Sequence, residues 1–189
     1  MNFLKPASIL SFLLVILAAS SSCQNNNAPV TKGRKPEVSQ KKIFRDSLPQ
    51  PKDYVNDYEN IYTVAEENML DSIIAAFENS DSIQIALITF DSSTINKDSL
   101  DAITLAIANE WGVGEKYNNN GVTIGICIGH RRIRIQNGFG IEKIISNAET
   151  KEIIDAAFLP EFSNGNYFKG TLKGLNAMIA KLRKKSQPK

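Results

Sequence analysis

The first half of the pattern of hydrophobic and polar positions predicts two helices separated by a strand. Thr63 and Glu66 have the spacing of a capping box, in which each side chain binds the other residue's backbone amide, so a helix begins after Thr63. Apolar residues recur along it at intervals of three and four, and residues 79–81 end it. Residues 83–90, rich in Ile and Leu, predict a strand, and residues 99–111 predict a second helix.

The second half begins with a predicted hairpin. Residues 122–128 form a nearly continuous apolar run, which is typical of a central strand covered on both faces. A tight turn at residues 129–130 leads into a strand over residues 131–136. Polar and Ile residues alternate along that strand, so we expect one packed face and one wetter face.

Two helices complete the pattern. Ser146 and Glu149 form a second capping box, which begins a helix that runs through Phe158. After a loop at residues 163–166, the last helix spans residues 167–182. The strand–helix–strand unit implies a right-handed parallel crossover, and the hairpin adds an antiparallel strand. The predicted fold class is therefore α/β, with a small mixed, mostly parallel sheet sandwiched by helices.

Residues 1–22 indicate an export signal rather than part of this fold. Lys5 provides a short positive region, residues 7–19 are almost entirely apolar, and three serines follow. The apolar run is shorter than the roughly 20 residues that a transmembrane helix needs, although an uncleaved membrane helix is the alternative. Cys23 follows in a context that resembles a bacterial lipobox, except that Ser20 stands where Leu is usual. We therefore expect a lipid on Cys23, with an ordinary cleaved signal peptide as the alternative.

Residues 23–52 predict a disordered linker. They include three consecutive Asn, four Pro and few apolar residues, and cannot bury enough surface to offset the entropy of ordering. Their mainly positive charges would be attracted to an anionic bilayer. In the alternative interpretation, the charges only keep the linker soluble. We expect one domain over residues 53–185 and a disordered tail at 186–189. The whole chain has 22 Lys and Arg against 20 Asp and Glu, and this net charge of +2 gives no indication of nucleic-acid binding.

Five segments of the predicted domain resemble the TPM-domain family. In chain order they are residues 55–57, 111–114, 119–122, 138–142 and 162–167. The resemblance covers nearly all of residues 54–182 and implies a Rossmann-like α/β sandwich that is exported or attached to a membrane. Relatives are described as thylakoid acid phosphatases, as calcium-binding proteins, or as factors in the assembly or repair of membrane complexes such as photosystem II. Because fold alone does not transfer function, the site has to be argued from residues.

The predicted topology brings several oxygen-bearing residues to one edge of the sheet. Asn119, Asn120, Glu142 and Asn147 are expected there, and amide, carbonyl and carboxylate oxygens suit calcium. The family pattern has an acidic residue where this chain has Asn147, so calcium should bind weakly. In the alternative interpretation, Asn147 only helps to begin a helix and residues 119–121 only form a turn.

Asp57 is a further candidate ligand, although the topology places it, with Asp91, nearer the opposite edge. Nucleophilic catalysis has little support, and no catalytic residue is identified. Cys127 lies within an apolar strand and is expected to act as a small hydrophobic residue. The single His130 lies at the hairpin tip, which disfavours a His-based phosphatase.

We expect a membrane-anchored domain of the cell envelope, on the periplasmic or surface side, that acts as a binding or assembly module. Its partners would be the lipid bilayer, through acylated Cys23, and an unidentified envelope protein, with calcium as a weakly bound cofactor. The alternatives are a metal-dependent, acid phosphatase-like enzyme and a passive calcium-binding lipoprotein. Two or more carboxylates clustered at the edge that carries Glu142 would favour the enzyme, and a solitary Glu142 would favour binding.

Overall fold

The computed structural model describes residues 48–186 of the chain. The predicted signal segment 1–22, the expected lipidation site Cys23, most of the linker and residues 187–189 lie outside the described residues. Within residues 48–186, no helix combines the length and the apolar character needed to cross a membrane.

Helices and strands alternate through the first part of this region and helices follow the hairpin. The strands are β1 Val55–Asp57, β2 Gln84–Thr89, β3 Gly121–Cys127 and β4 Arg132–Asn137. The helices are α1 Val64–Asp81, α2 Leu100–Glu110, α3 Phe139–Glu142, α4 Asn147–Ile153, α5 Leu159–Phe162 and α6 Tyr167–Ser186. A π-helical turn, Ile154–Phe158, joins α4 to α5, and short 3-10 turns occupy Lys97–Ser99 and Glu115–Tyr117.

The strands pair in the order β1-β2-β3-β4. β1 and β2 are parallel, β2 and β3 are parallel, and β4 runs antiparallel to β3. The predicted fold class, a small mixed and mostly parallel sheet, is confirmed. The sequence pattern does not predict β1, because a three-residue edge strand is too short to show an alternation.

The two faces of the sheet are covered by different helices. On one face, β2 and β3 pack against α1, the π-helical turn and α6 in a core that includes Leu70, Phe158 and Leu175. On the other face, Ile88 and Cys127 pack against α2. Every residue of β3 is buried, as predicted for a central strand. Burying each large aliphatic side chain contributes about 1.5–3 kcal/mol, so these two cores are the main source of stability.

Both predicted capping boxes are present. Thr63 Oγ1 accepts from the amide of Glu66, and Ser146 Oγ accepts from the amide of Glu149. The apolar residues of α1, which the sequence pattern places on one packed side of the helix, include two that are wrong: Val64 is 74% exposed and Met69 is 51% exposed. The buried stripe of that helix runs through Leu70, Ile74 and Phe77, whose spacing leaves Val64 on the outer side.

The domain starts earlier than the predicted boundary at Asp53. Leu48 packs against the α2 core, and Trp111 Nε1 donates to the carbonyl oxygen of Pro49 at 2.9 Å. Tyr58 Oη donates to the carbonyl oxygen of Gln50 at 3.1 Å. The end of the predicted disordered linker is therefore held by side chains far along the chain, which its composition does not indicate. At the other end, α6 continues through Ser186.

Candidate functional site

Loops meet at the two opposite ends of the strands. We call these two sides of the sheet the carboxyl edge and the amino edge, after the ends of the parallel strands β1, β2 and β3 that lie there. The carboxyl edge holds the ends of β1, β2 and β3 at Asp57, Thr89 and Cys127. The amino edge holds the starts of β2 and β3 and, because β4 is antiparallel, the end of β4. β2 rises about 3.3 Å per residue, so the span from Thr89 back to Gln84 separates the two edges by roughly 16 Å.

A turn of asparagines leads into β3 at the amino edge. Asn118 and Asn119 have φ values of 57° and 61°, a left-handed conformation that Asn tolerates better than most residues. The carbonyl oxygen of Asn120 then accepts from the amide of Gln84 at 3.0 Å, which fixes the turn to the start of β2. The asparagines therefore have a structural role, as the alternative interpretation of this segment expects.

Two glycines after β4 pack directly against this turn. The amide of Gly138 donates to the carbonyl oxygen of Gly121 at 2.8 Å, and that of Gly140 donates to Asn119 at 3.1 Å. A Cβ at Gly138 would overlap the Asn119 carbonyl oxygen, and a Cβ at Gly140 would overlap the Asn120 side chain. This close approach holds α3, with Phe139 and Glu142, beside the turn.

A cavity of about 140 Å³ lies between α2 and the amino edge. Part of its wall is apolar and comes from Leu105, Ala108, Val113 and Phe139. The polar part includes two carboxylates, Glu115 and Glu142, with Asn109 and Asn119. β3 and β4 contribute Thr123, Gln136 and Asn137.

The cavity is lined by two acidic residues and has an apolar rim. Glu115 and Glu142 are exposed, and neither has an ion-pair partner within residues 48–186. None of the lining residues is Lys, Arg or His. Phe139 is 75% exposed and Leu105 is 44% exposed, so two large apolar side chains face solvent beside two free carboxylates.

The structure brings together only part of the predicted calcium ligand set. Asn119 and Glu142 line the cavity, whereas the side chain of Asn120 faces Gly140. Asn147 is exposed at the first position of α4 and does not line the cavity. In the part of the chain that the structure describes, no three His, Cys, Asp or Glu side chains are grouped to hold a metal ion.

Glu115 is the acidic residue of the cavity that the sequence interpretation missed. It lies in a 3-10 turn after α2, and a glutamate in such a turn has no local pattern that marks it. It reaches the cavity because residues 112–121 fold back so tightly that a Cβ at Gly121 would overlap the carbonyl oxygen of Val113. The glycines at 112, 114 and 121 are the one signal of this fold-back in the sequence.

With this geometry established, comparison with known proteins assigns the family. The sequence profile of the TPM domain matches residues 55–181, well over half of the chain. The chain belongs to the TPM-domain family. No functionally curated protein matches it.

Solved structures of similar proteins agree with this assignment. The N-terminal domain of a protein from P. gingivalis is 30% identical, with a TM-score of 0.63, over 69% of this chain and 82% of that chain. The BA42 protein from the psychrophilic Bizionia argentinensis is 20% identical, with a TM-score of 0.58, over 67% and 85%. The N-terminal domain of cg2496 from Corynebacterium glutamicum is 16% identical, with a TM-score of 0.54, over 76% and 89%. The last two comparisons show the shared fold alone.

At the carboxyl edge of this TPM domain, acidic side chains are occupied by hydrogen bonds within the fold. Asp57 accepts from the amide of Tyr62 at 2.8 Å and from the hydroxyl of Thr89. Glu59 accepts from the amides of Ile128 and Gly129 at 2.8 and 2.9 Å, at the β3–β4 turn. Asp57 and the four other predicted calcium ligands therefore do not form one site, because parallel strands place Asp57 at the opposite edge.

Cys127 and His130, the candidate nucleophile and the candidate base of the TPM domain, both have structural roles. Cys127 is fully buried in β3, and burial raises the pKa of its thiol, which disfavours the reactive thiolate. His130 Nε2 lies 2.8 Å from the carbonyl oxygen of Ile95 at the carboxyl edge. Neither residue lines the amino-edge cavity. The cavity therefore offers carboxylates, amides and an apolar rim as its chemistry.

Proposed function

We propose that this TPM domain is a membrane-tethered module of the cell envelope that binds a protein partner at the amino-edge cavity. The observation that carries the proposal is the apolar rim, where Phe139 is 75% exposed and Leu105 is 44% exposed beside the cavity. Exposed aromatic and aliphatic side chains grouped around a concavity are characteristic of interaction sites, whereas scattered single apolar residues are ordinary.

The membrane attachment in this proposal comes from the sequence pattern of the N-terminus. A lipid on Cys23 would anchor the chain, and residues 24–47 would separate the anchor from the folded domain. A flexible chain of this length spans roughly 27 Å on average. The partner surface would then lie within a few nanometres of the bilayer, which favours a component of the same envelope.

A second candidate function uses the two carboxylates of the same cavity. Glu115 and Glu142, with the amide oxygen of Asn119, could hold a divalent cation such as calcium, and a metal-dependent phosphatase needs such carboxylates. The residues present fit this cation poorly, because two carboxylates on an open surface provide few charged ligands. If calcium binds, it should raise the thermal unfolding midpoint of the chain relative to chelator, and Glu142→Ala should abolish the rise.

Site-specific crosslinking in intact cells tests the proposed function. A photoreactive amino acid replaces Phe139 in the full chain, and the matched control replaces Val64, which is exposed to nearly the same extent, 74% against 75%. We expect a discrete adduct in the membrane fraction from position 139, identified by mass spectrometry, and none from position 64. Equal adducts from both positions, or none from position 139, would contradict the proposal.

A further inference from the structure

The cavity wall presents two carboxylates, and Arg134 of β4 donates to the lining Gln136 at 2.9 Å. Two glutamates line it, and no basic residue does. Thr123, which also borders it from β3, is only 1% exposed. Thr123 Oγ1 has no hydrogen-bond partner in the described part of the chain. A buried hydroxyl without a partner is unusual in native proteins, so Thr123 provides a further polar group for an occupant of the cavity.

The remaining wall distinguishes an organic cation from a metal ion. Leu105, Ala108, Val113 and Phe139 make it apolar. A hard cation such as calcium prefers six to eight oxygen ligands and gains nothing from such a wall. An arginine side chain has an apolar stem for these residues and a planar guanidinium that can stack on an aromatic face and bind carboxylates.

The size of the cavity fits the same occupant. The cavity has a volume of about 140 Å³. That space accommodates the end of one long side chain rather than a folded element. The exposed Phe139 at the rim is then placed for a cation–π contact with the entering group.

We infer that the cavity receives an arginine side chain of the partner, held between Glu115 and Glu142 and packed on Phe139. This inference rests on the proposed partner-binding function and names the chemistry that the partner must present. It requires no reaction and no cofactor. A second copy of this chain, a metal ion and an uncharged side chain are the competing occupants that the experiment separates.

The experiment titrates the isotopically labelled full chain, in detergent micelles, with Nα-acetyl-argininamide and follows backbone amide resonances by NMR. The matched probe is Nα-acetyl-citrullinamide, which keeps the shape and removes the charge. We expect saturable shifts at residues 114–115 and 138–142 with the arginine probe, and at least fivefold weaker binding of citrulline. Glu115→Gln/Glu142→Gln should weaken arginine binding at least fivefold, while Glu152→Gln, an equal charge change on α4, should leave it unchanged.

Several results would overturn the inference. Equal binding of citrulline would show that charge is not recognised, and unchanged binding by the double variant would place the site elsewhere. Saturable shifts of the same amides with calcium chloride, without any from arginine, would assign the cavity to a metal ion. The crosslinking experiment tests the proposed function independently of this inference. Arginine binding without an adduct at position 139 would contradict the protein partner but support a cation-binding site in the cavity. An adduct without arginine binding would support the protein partner but contradict an arginine side chain as the occupant of the cavity.

Discussion

At the carboxyl edge of the sheet, both oxygens of Glu59 accept backbone hydrogen bonds, whereas Glu142 at the amino edge is exposed and has no ion-pair partner within residues 48–186. A glutamate side chain therefore fixes a turn at the carboxyl edge, whereas another glutamate at the amino edge remains free. In open α/β sheets, ligands usually bind at the carboxyl ends of the strands. Here Asp57 and Glu59 at the carboxyl edge are occupied by hydrogen bonds within the fold, and the cavity with available carboxylates lies at the amino edge.

The amino edge is held together by backbone contacts rather than by carboxylates. Backbone groups pack directly on one another there, with Gly138 and Gly140 against the Asn118–Asn120 turn. Because glycine contacts and amide–carbonyl bonds hold this edge, we expect that Glu115 and Glu142 are not needed for folding. An acidic residue at a strand end is therefore available for binding only where no hydrogen bond within the fold occupies it.

The largest expected effect follows from removing the carboxylate that fixes the β3–β4 turn. Glu59→Ala leaves the amides of Ile128 and Gly129 without their acceptor. Hydrogen bonds to charged groups contribute about 1.5–3 kcal/mol each, and solvent can reach part of this turn. We expect a loss of about 2–4 kcal/mol in the free energy of unfolding, measured by urea denaturation. A loss below about 0.5 kcal/mol would show that Glu59 does not stabilise the carboxyl edge.

A smaller but still clear effect is expected from crowding the amino edge. In Gly138→Ala, the new methyl group would overlap the carbonyl oxygen of Asn119, so the turn or α3 must shift. Overpacking of this kind costs about 1–3 kcal/mol. Urea denaturation should show that loss, and amide exchange should accelerate locally at residues 118–121 and 138–142. A variant with unchanged stability and exchange would contradict the close packing described for this edge.

Carboxylates that lie between helices should respond to acid. Lys185, with further hydrogen bonds, lowers the pKa of Glu149 from its ordinary 4.5 to about 2, and Lys173 does the same for Glu161. Since the folded-state pKa lies below the unfolded one, this stabilisation is complete above about pH 4.5 and is lost as the pH falls towards 2. Glu149→Gln/Glu161→Gln should therefore show a flatter decline of stability over that window. A decline as steep as in the unchanged chain would refute these ion pairs as a source of stability.

The sequence could predict the features that depend on neighbouring residues. The capping boxes at Thr63 and Ser146 need only a partner three residues away, and the buried strand β3 is marked by its own apolar run. The glycines that hold the amino edge also belong to the segments that resemble the family. These local signals were sufficient for the fold class and for placing Glu142 near Asn119.

Features that depend on distant contacts were missed. β1 exists because Val55–Asp57 pairs with β2, and Leu48 is ordered because it packs on the α2 core. Glu115 enters the cavity through the fold-back of a turn, and Glu59 is occupied by amides some 70 residues away in sequence. Sequence spacing contains no information about these partners, so the availability of each carboxylate could only be assigned from the structure.

The most direct test of this account compares matched neutralisations at the two edges. Urea denaturation of the full chain in detergent micelles is measured for Glu59→Gln and for Glu115→Gln/Glu142→Gln. We predict that the single change at the carboxyl edge lowers the free energy of unfolding by at least about 1 kcal/mol, because one acceptor oxygen becomes a donor. The double change at the amino edge should stay within about 0.5 kcal/mol of the unchanged chain. A double variant that is less stable than the single one would contradict the assignment of Glu115 and Glu142 as side chains free to bind a partner.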